Sequence, residues 1–149
     1  MFYPNAKKGS TMIFNNLDDL CSHLQKQIND TLKNEVAETA KEQLSESVHK
    51  SVYNTYIPEH YKRRTYNGGL SDRTNFNVSE ADNSVIITND TPLDNGHTAY
   101  RLDDIVVNGM GYMPFPRDFY SEAAENISEA NTLTAIMKEG LKRREIETE

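Results

Sequence analysis

The stretch "NNLDDLCSHLQKQINDTLKNEVAETAKEQLSESVHKSV", residues 15–52, decides how the rest of the chain must be arranged. It contains no Pro and no Gly, so nothing in it stops a helix. Asn16 is a good N-cap, and Asp18 and Asp19 fall in the first turn, where the helix dipole favours acids. A helix over residues 17–52 is expected. Its apolar residues are Leu20, Leu24, Ile28, Leu32, Val36, Ala40, Leu44, Val48 and Val52, each four after the last. An α-helix turns about 100° per residue, so each step of four overshoots a full turn by about 40°. Such a stripe winds around a helix of ~54 Å and cannot face one small core along its whole length. Either the helix is interrupted, or its two halves pack on different neighbours. The reading adopted places the N-terminal half on the chain's own core and the C-terminal half, with Val48 and Val52, on a neighbouring subunit. The other reading is a kink, or a change of neighbours, within one chain.

Outward from this helix, "TMIF" (Thr11–Phe14) reads as a short strand, and residues 1–11 as an N-terminal extension. Pro58 ends the helical region. "RTNFNV" and "NSVIIT" read as two short strands within residues 74–88, joined by the polar turn "SEADN". Residues 89–117 hold three Gly and three Pro and read as a long loop. The last element is a helix over residues 118–145. Asp118 caps it, and Phe119, Ala123, Ile127, Ala130, Leu133, Met137 and Leu141 form a one-sided stripe. These elements predict one α+β domain over residues 1–149, with a small antiparallel sheet between a long first helix and a C-terminal helix.

Composition narrows the function. The chain has 149 residues and a net charge of −7, with eight Tyr, no Trp and 36% hydrophobic residues. A thin core rich in tyrosine suits a protein that completes its burial against partners. The single cysteine, Cys21, excludes an internal disulfide and reads as a small core residue. No apolar run is long enough to span a membrane, and "MFYPNAKKGST" does not have the pattern of a signal peptide. His23, His49, His60 and His97 form no metal-ligand pair of known spacing, and "NDTPLDNG" lacks the alternating oxygens of a calcium loop. There is no phosphate loop and no nucleophile elbow. Asp103 and Asp104, adjacent in an extended segment, would point apart. The expectation is therefore no catalysis, no cofactor, no metal and no small-molecule substrate.

One locally basic stretch stands out. "YIPEHYKRRTYNGGLSDRTNF", residues 56–76, carries Lys62, Arg63, Arg64 and Arg73 in an otherwise acidic chain. Lys62–Arg64 with Tyr61 and Tyr66 could meet phosphates and bases, which would make the chain a small nucleic-acid-associated regulator. The acidic whole argues against that. Arg and Tyr are also the residues most enriched at protein interfaces, and residues 79–118, with seven acids and two bases, would complement them.

Three segments carry a resemblance to a known family. "MIFNNLDDLCSHLQKQI", "VYNTYIPEHYKRRTYNGGLSDRTN" and "PFPRDFYSEAAENI" resemble the neck or tail-component (head–tail joining) proteins of long-tailed bacteriophages, over roughly residues 12–145. The resemblance implies a non-catalytic virion protein, made in the host cytoplasm and placed at the neck or head–tail interface. It implies a homo-oligomeric ring of six or twelve copies, touching neighbouring connector and tail proteins and letting DNA pass without sequence-specific contact. A tail terminator or minor capsid protein is the nearest alternative. In that ring, Tyr53 and Tyr56 would anchor the helix end, Arg63, Arg64 and Arg73 would pair across the subunit boundary, and Gly68-Gly69 would be a flexible elbow.

Overall fold

The computed structural model describes residues 12–93, 100–110 and 115–146. The long helix is present, in two α-helical parts: α1 (Leu17–Thr31) and α2 (Ala37–Ser51). Asn16 caps it as expected, its side chain accepting from the Asp19 N–H at 2.8 Å. Between the parts lies a π turn, Leu32–Val36, in which the Ala37 N–H reaches back five residues to the Leu32 carbonyl.

The π turn takes up part of the winding. Four steps of four, from Leu20 to Val36, drift about 160° around a regular helix. A π turn takes about one more residue per turn and so returns about 100° of that drift. Val36, Ala40, Leu44, Val48 and Val52 are all buried, while Leu20, Leu24, Ile28 and Leu32 are only half-buried.

This reverses the expected division of labour. The C-terminal half of the helix carries the chain's own core, where Val48 is 0% and Val52 2% exposed. Val48 offers no surface to another subunit, and Val52 only the little it presents to a cleft described below. The N-terminal half projects from the core: Thr31 is the buried residue of α1, and Cys21, expected inside, is exposed. The change of neighbours occurs within one chain.

The sheet is a two-stranded hairpin of β1 (Phe76–Ala81) and β2 (Ser84–Asn89), in antiparallel register from Phe76 opposite Asn89 to Ala81 opposite Ser84. Its turn is tighter than expected, with Asp82 at φ +37°. Residues 73–75 form a 3-10 turn and not the start of a strand. Residues 12–14 are not a strand either, and Thr11 and the rest of the N-terminal extension lie outside the described residues.

The expected long loop contains a helix, α3 (Leu102–Asn108), ended by Gly109 at φ +67°. A side chain at Gly109 would collide with the Pro116 nitrogen, 2.6 Å from an added Cβ. Ile105, Val106 and Val107 are therefore helical, and Val106 enters the core at 2% exposure. Residues 94–99 and 111–114 of that segment lie outside the described residues.

The C-terminal helix is two helices, α4 (Phe119–Ala130) and α5 (Thr132–Arg143). Asp118 caps α4 as expected, accepting from the Ser121 N–H at 3.0 Å. Asn131, at φ +49°, takes the left-handed conformation that asparagine tolerates and divides the two. The pair runs back antiparallel along the long helix. Early in α4, Glu122 meets Lys50 at 2.6 Å. Late in α5, Gly140 lies so close to the π turn that an added Cβ would sit 2.5 Å from Thr31 Cγ2 and 2.7 Å from Glu35 Oε2. Arg143 and Arg144 both pair with Glu35 there.

The core joins Leu44, Val48 and Val52 of α2 to Leu70, Phe76, Val106, Phe119 and Ala123. A polar knot ties α3 to this core. Asp103, 2% exposed, accepts from the Arg101 guanidinium at 2.7 Å and from the Tyr120 hydroxyl at 2.7 Å. The Asn89 N–H donates to that hydroxyl at 3.2 Å. The two neighbouring aspartates do point apart, but from a helix: Asp104 faces solvent.

Candidate functional site

The basic stretch wraps the C-terminal end of α2. A 3-10 turn, Tyr53–Thr55, ends the helix, and the chain becomes extended at Tyr56. Arg63 folds back over this end. Its guanidinium donates to the Tyr53 carbonyl at 2.7 Å and to the Tyr56 carbonyl, and lies 5.0 Å and 4.3 Å from the centres of the two rings. It thus satisfies two carbonyls that the finishing helix leaves without partners, and it stacks on two aromatic faces at once. Arg117 lies 5.1 Å from the Tyr56 ring and donates to Thr55 Oγ1 at 3.0 Å. The Tyr56 and Tyr61 hydroxyls are hydrogen-bonded to each other, and burial followed by that bond pushes the Tyr61 hydroxyl above the usual phenol range.

Tyr53 and Tyr56 hold the helix end, as expected, but against their own chain. The Tyr53 hydroxyl accepts from the Ser71 N–H at 3.3 Å. His49 stands edge-on to the Tyr53 ring at 4.8 Å and stacks on Tyr66 at 4.5 Å. Its Nε2 is buried without a hydrogen-bond partner. Burial, and then the nearby Arg63 charge, holds the imidazole below its ordinary value.

The expected pairing of Arg63, Arg64 and Arg73 across a subunit boundary meets groups of the same chain. Arg64 donates to the Pro92 carbonyl at 2.7 Å, and Arg73 reaches Glu38 of α2 at 3.3 Å. Gly68-Gly69 is a fixed tight turn and not an elbow. Gly68 sits at φ +78°, and a side chain on Gly69 would collide with the Thr65 backbone at 2.5 Å. Asp72 clasps the turn, accepting from the Gly68 N–H at 2.6 Å and from the Thr74 N–H at 2.9 Å. The Thr74 hydroxyl and these two N–H groups keep its carboxyl below the usual range.

Together these residues wall a cleft of about 210 Å³. Val52, Leu70, Leu102 and Val106 supply apolar lining, Tyr53, Tyr56 and Tyr61 aromatic lining, and Lys62, Arg63 and Arg64 positive charge. No acid among the described residues lines it. Of the residues singled out in the sequence, Tyr53, Tyr56, Arg63, Arg64 and Val52 meet here, whereas Arg73, in the 3-10 turn before β1, reaches Glu38 of α2 instead. Leu102 and Val106 were missed because α3 was read as loop.

The other end of the molecule is also distinctive. Met12, Ile13 and Leu17, at the start of α1, are 59%, 87% and 70% exposed. Beside them, Phe14, Leu20, His23 and Leu24 share a second hollow with Arg144, Glu145 and Ile146.

Among the described residues, no group of three or more His, Cys, Asp or Glu side chains is placed to hold a metal ion. Among them, too, no helix is long and apolar enough to cross a membrane.

The sequence model of a family described as YomN matches residues 16–143. The chain belongs to the YomN family. The match runs from the N-cap of α1 to the last residue of α5, so the YomN unit takes in the long helix, the hairpin, the cleft and the returning helices. YomN is a phage-associated family, which places the chain among phage proteins. No curated protein matches this YomN chain, and no solved structure does.

Proposed function

We propose that this chain is a non-catalytic structural subunit of a tailed-phage particle, assembling with copies of itself into a ring at the neck through which DNA passes. The observation that carries the reading is the start of the long helix. Leu17, the first residue of a helix whose buried residue is Thr31, and Met12 and Ile13 just before it stand 59–87% exposed. Large exposed apolar groups grouped at one end mark a contact surface. Membership of a phage-associated family supports a particle role, and the resemblance of residues 12–145 to head–tail joining proteins supports the neck. The net charge of −7 suits a ring that must let a polyanion slide without holding it.

The test is the mass of the purified chain in solution, alone and with neck proteins from the same particle, followed by its position in an imaged particle. A closed oligomer found at the head–tail junction is expected. A chain that stays monomeric in both mixtures and is absent from purified particles overturns the reading.

A further inference from the structure

The two ends of the long helix differ, and they are complementary. At one end, Ile13 and Leu17 project into solvent next to the exposed acids Asp18 and Asp19, and residues 12–25 contain no Lys or Arg. At the other end, the cleft offers an apolar floor, Lys62 and Arg64 on its wall, and no acid among the described residues that line it. An apolar cavity of about 150 Å³ holds a benzene-sized group. A cleft of about 210 Å³ therefore has room for an isoleucine or leucine side chain.

Within one chain these surfaces cannot meet. Leu17 and Val52 are separated by 35 residues of continuous helix, roughly 50 Å. We propose that the tip of α1 in one copy docks into the cleft of the next, with Ile13 or Leu17 in the apolar floor and Asp18 and Asp19 facing Lys62 and Arg64. The inference rests on the ring reading and names its contact. Two different surfaces meet, so the contact is heterologous and propagates head to tail, closing into a ring where the rotation per copy closes. A tip-to-tip contact would instead bring Asp18 and Asp19 of two copies together, and like charges at a contact are disfavoured.

Two variants test this. In the tip variant, Ile13→Ser with Leu17→Ser removes exposed groups that the fold does not use. In the cleft variant, Lys62→Glu with Arg64→Glu reverses the wall charge and spares Arg63, which holds the helix end. Each alone is expected to be monomeric. Mixed in equal amounts they should form a dimer and nothing larger, since one intact tip meets one intact cleft. Oligomers in either variant alone overturn the proposal. An unmixed pair of monomers beside a ring-forming wild type also overturns it, while leaving the ring reading in place. A wild type that is monomeric under all conditions overturns both.

A second measurement does not depend on the quadruple set of changes folding well. Cys21 is the one thiol, exposed near the tip, and Lys62→Cys places another at the cleft. The helix between residues 21 and 52 spans about 46 Å, so a short bismaleimide cannot join the two within a chain. A ladder of cross-linked dimers, trimers and larger species is expected, and it should vanish with Cys21→Ser. Absence of a ladder from an oligomeric Lys62→Cys protein is the contrary result.

Discussion

Arg63 and Arg73 look alike in the sequence, two arginines of one basic stretch, and the structure gives them different work. Arg63 satisfies the Tyr53 and Tyr56 carbonyls and stacks on both rings. Hydrogen bonds from a charged group contribute about 1.5–3 kcal/mol each way they are removed, so Arg63→Ala should cost roughly 2–3 kcal/mol of stability. Arg73 and Glu38 are about half exposed, and Arg73→Ala should cost no more than ~1 kcal/mol. Urea midpoints of the two variants measure the contrast directly. His49 sets a pH dependence. Its imidazole is held below its ordinary value by burial and by Arg63, so between the unfolded value near 6.5 and the lower folded one the unfolded chain binds more protons. Stability should be full above about pH 6.5 and fall as pH drops through that window, and His49→Phe should flatten the fall. Denaturation midpoints taken between about pH 7.5 and about pH 5, roughly the window of an ordinary histidine, separate this from the carboxylates. Nothing in the sequence singled out His49, because its environment is made by Tyr53 and by Tyr66, 17 residues downstream.

Among the elements, the junction of α5 with the π turn is the most exposed to a single change. Gly140→Ala would place a methyl 2.5 Å from Thr31 Cγ2 and 2.7 Å from Glu35 Oε2. Overpacking of this kind costs about 1–3 kcal/mol, and it should loosen α5 from α1 before it touches the core around Phe119. Faster amide exchange in α1 and α5, with α2 and α4 unchanged, is the expected pattern. This junction also marks how far the sequence could be read. The caps at Asn16 and Asp118 were legible because each is a local bond over three residues. The hairpin was legible from two β-rich runs, and its pairing gives the α+β class. The winding stripe was visible as an anomaly, and its resolution was not. A π turn costs little and carries no residue signature, so the sequence could not say which half of the helix would own the core. α3 escaped because Asn89, Arg101, Asp103 and Tyr120 create its anchorage only once the sheet and α4 are in place. Asn131 ended α4 inside an uninterrupted apolar stripe, where periodicity gives no warning.

For the molecule as a whole, charge and shape point the same way. A net charge of −7 surrounds the cationic cleft, and Arg63, Arg64 and Arg73 each bond within the chain. The purified protein should therefore show little or no retention of duplex DNA at physiological salt in a mobility or filter assay, and tight salt-sensitive binding would favour the regulator reading instead. The π turn has a last consequence at this scale. It stands between the part of the helix that is anchored and the part that reaches outward, and it works as a screw adjustment between them. Removing one residue there would turn α1 by about 100° about its own axis, leaving the core contacts of α2 in register but carrying Thr31 away from Gly140 of α5. The compass bearing of α1 is thus set by a count of residues, and the contacts of α5 hold it there. In the head-to-tail contact proposed above, that bearing would fix the pitch at which each copy follows the last.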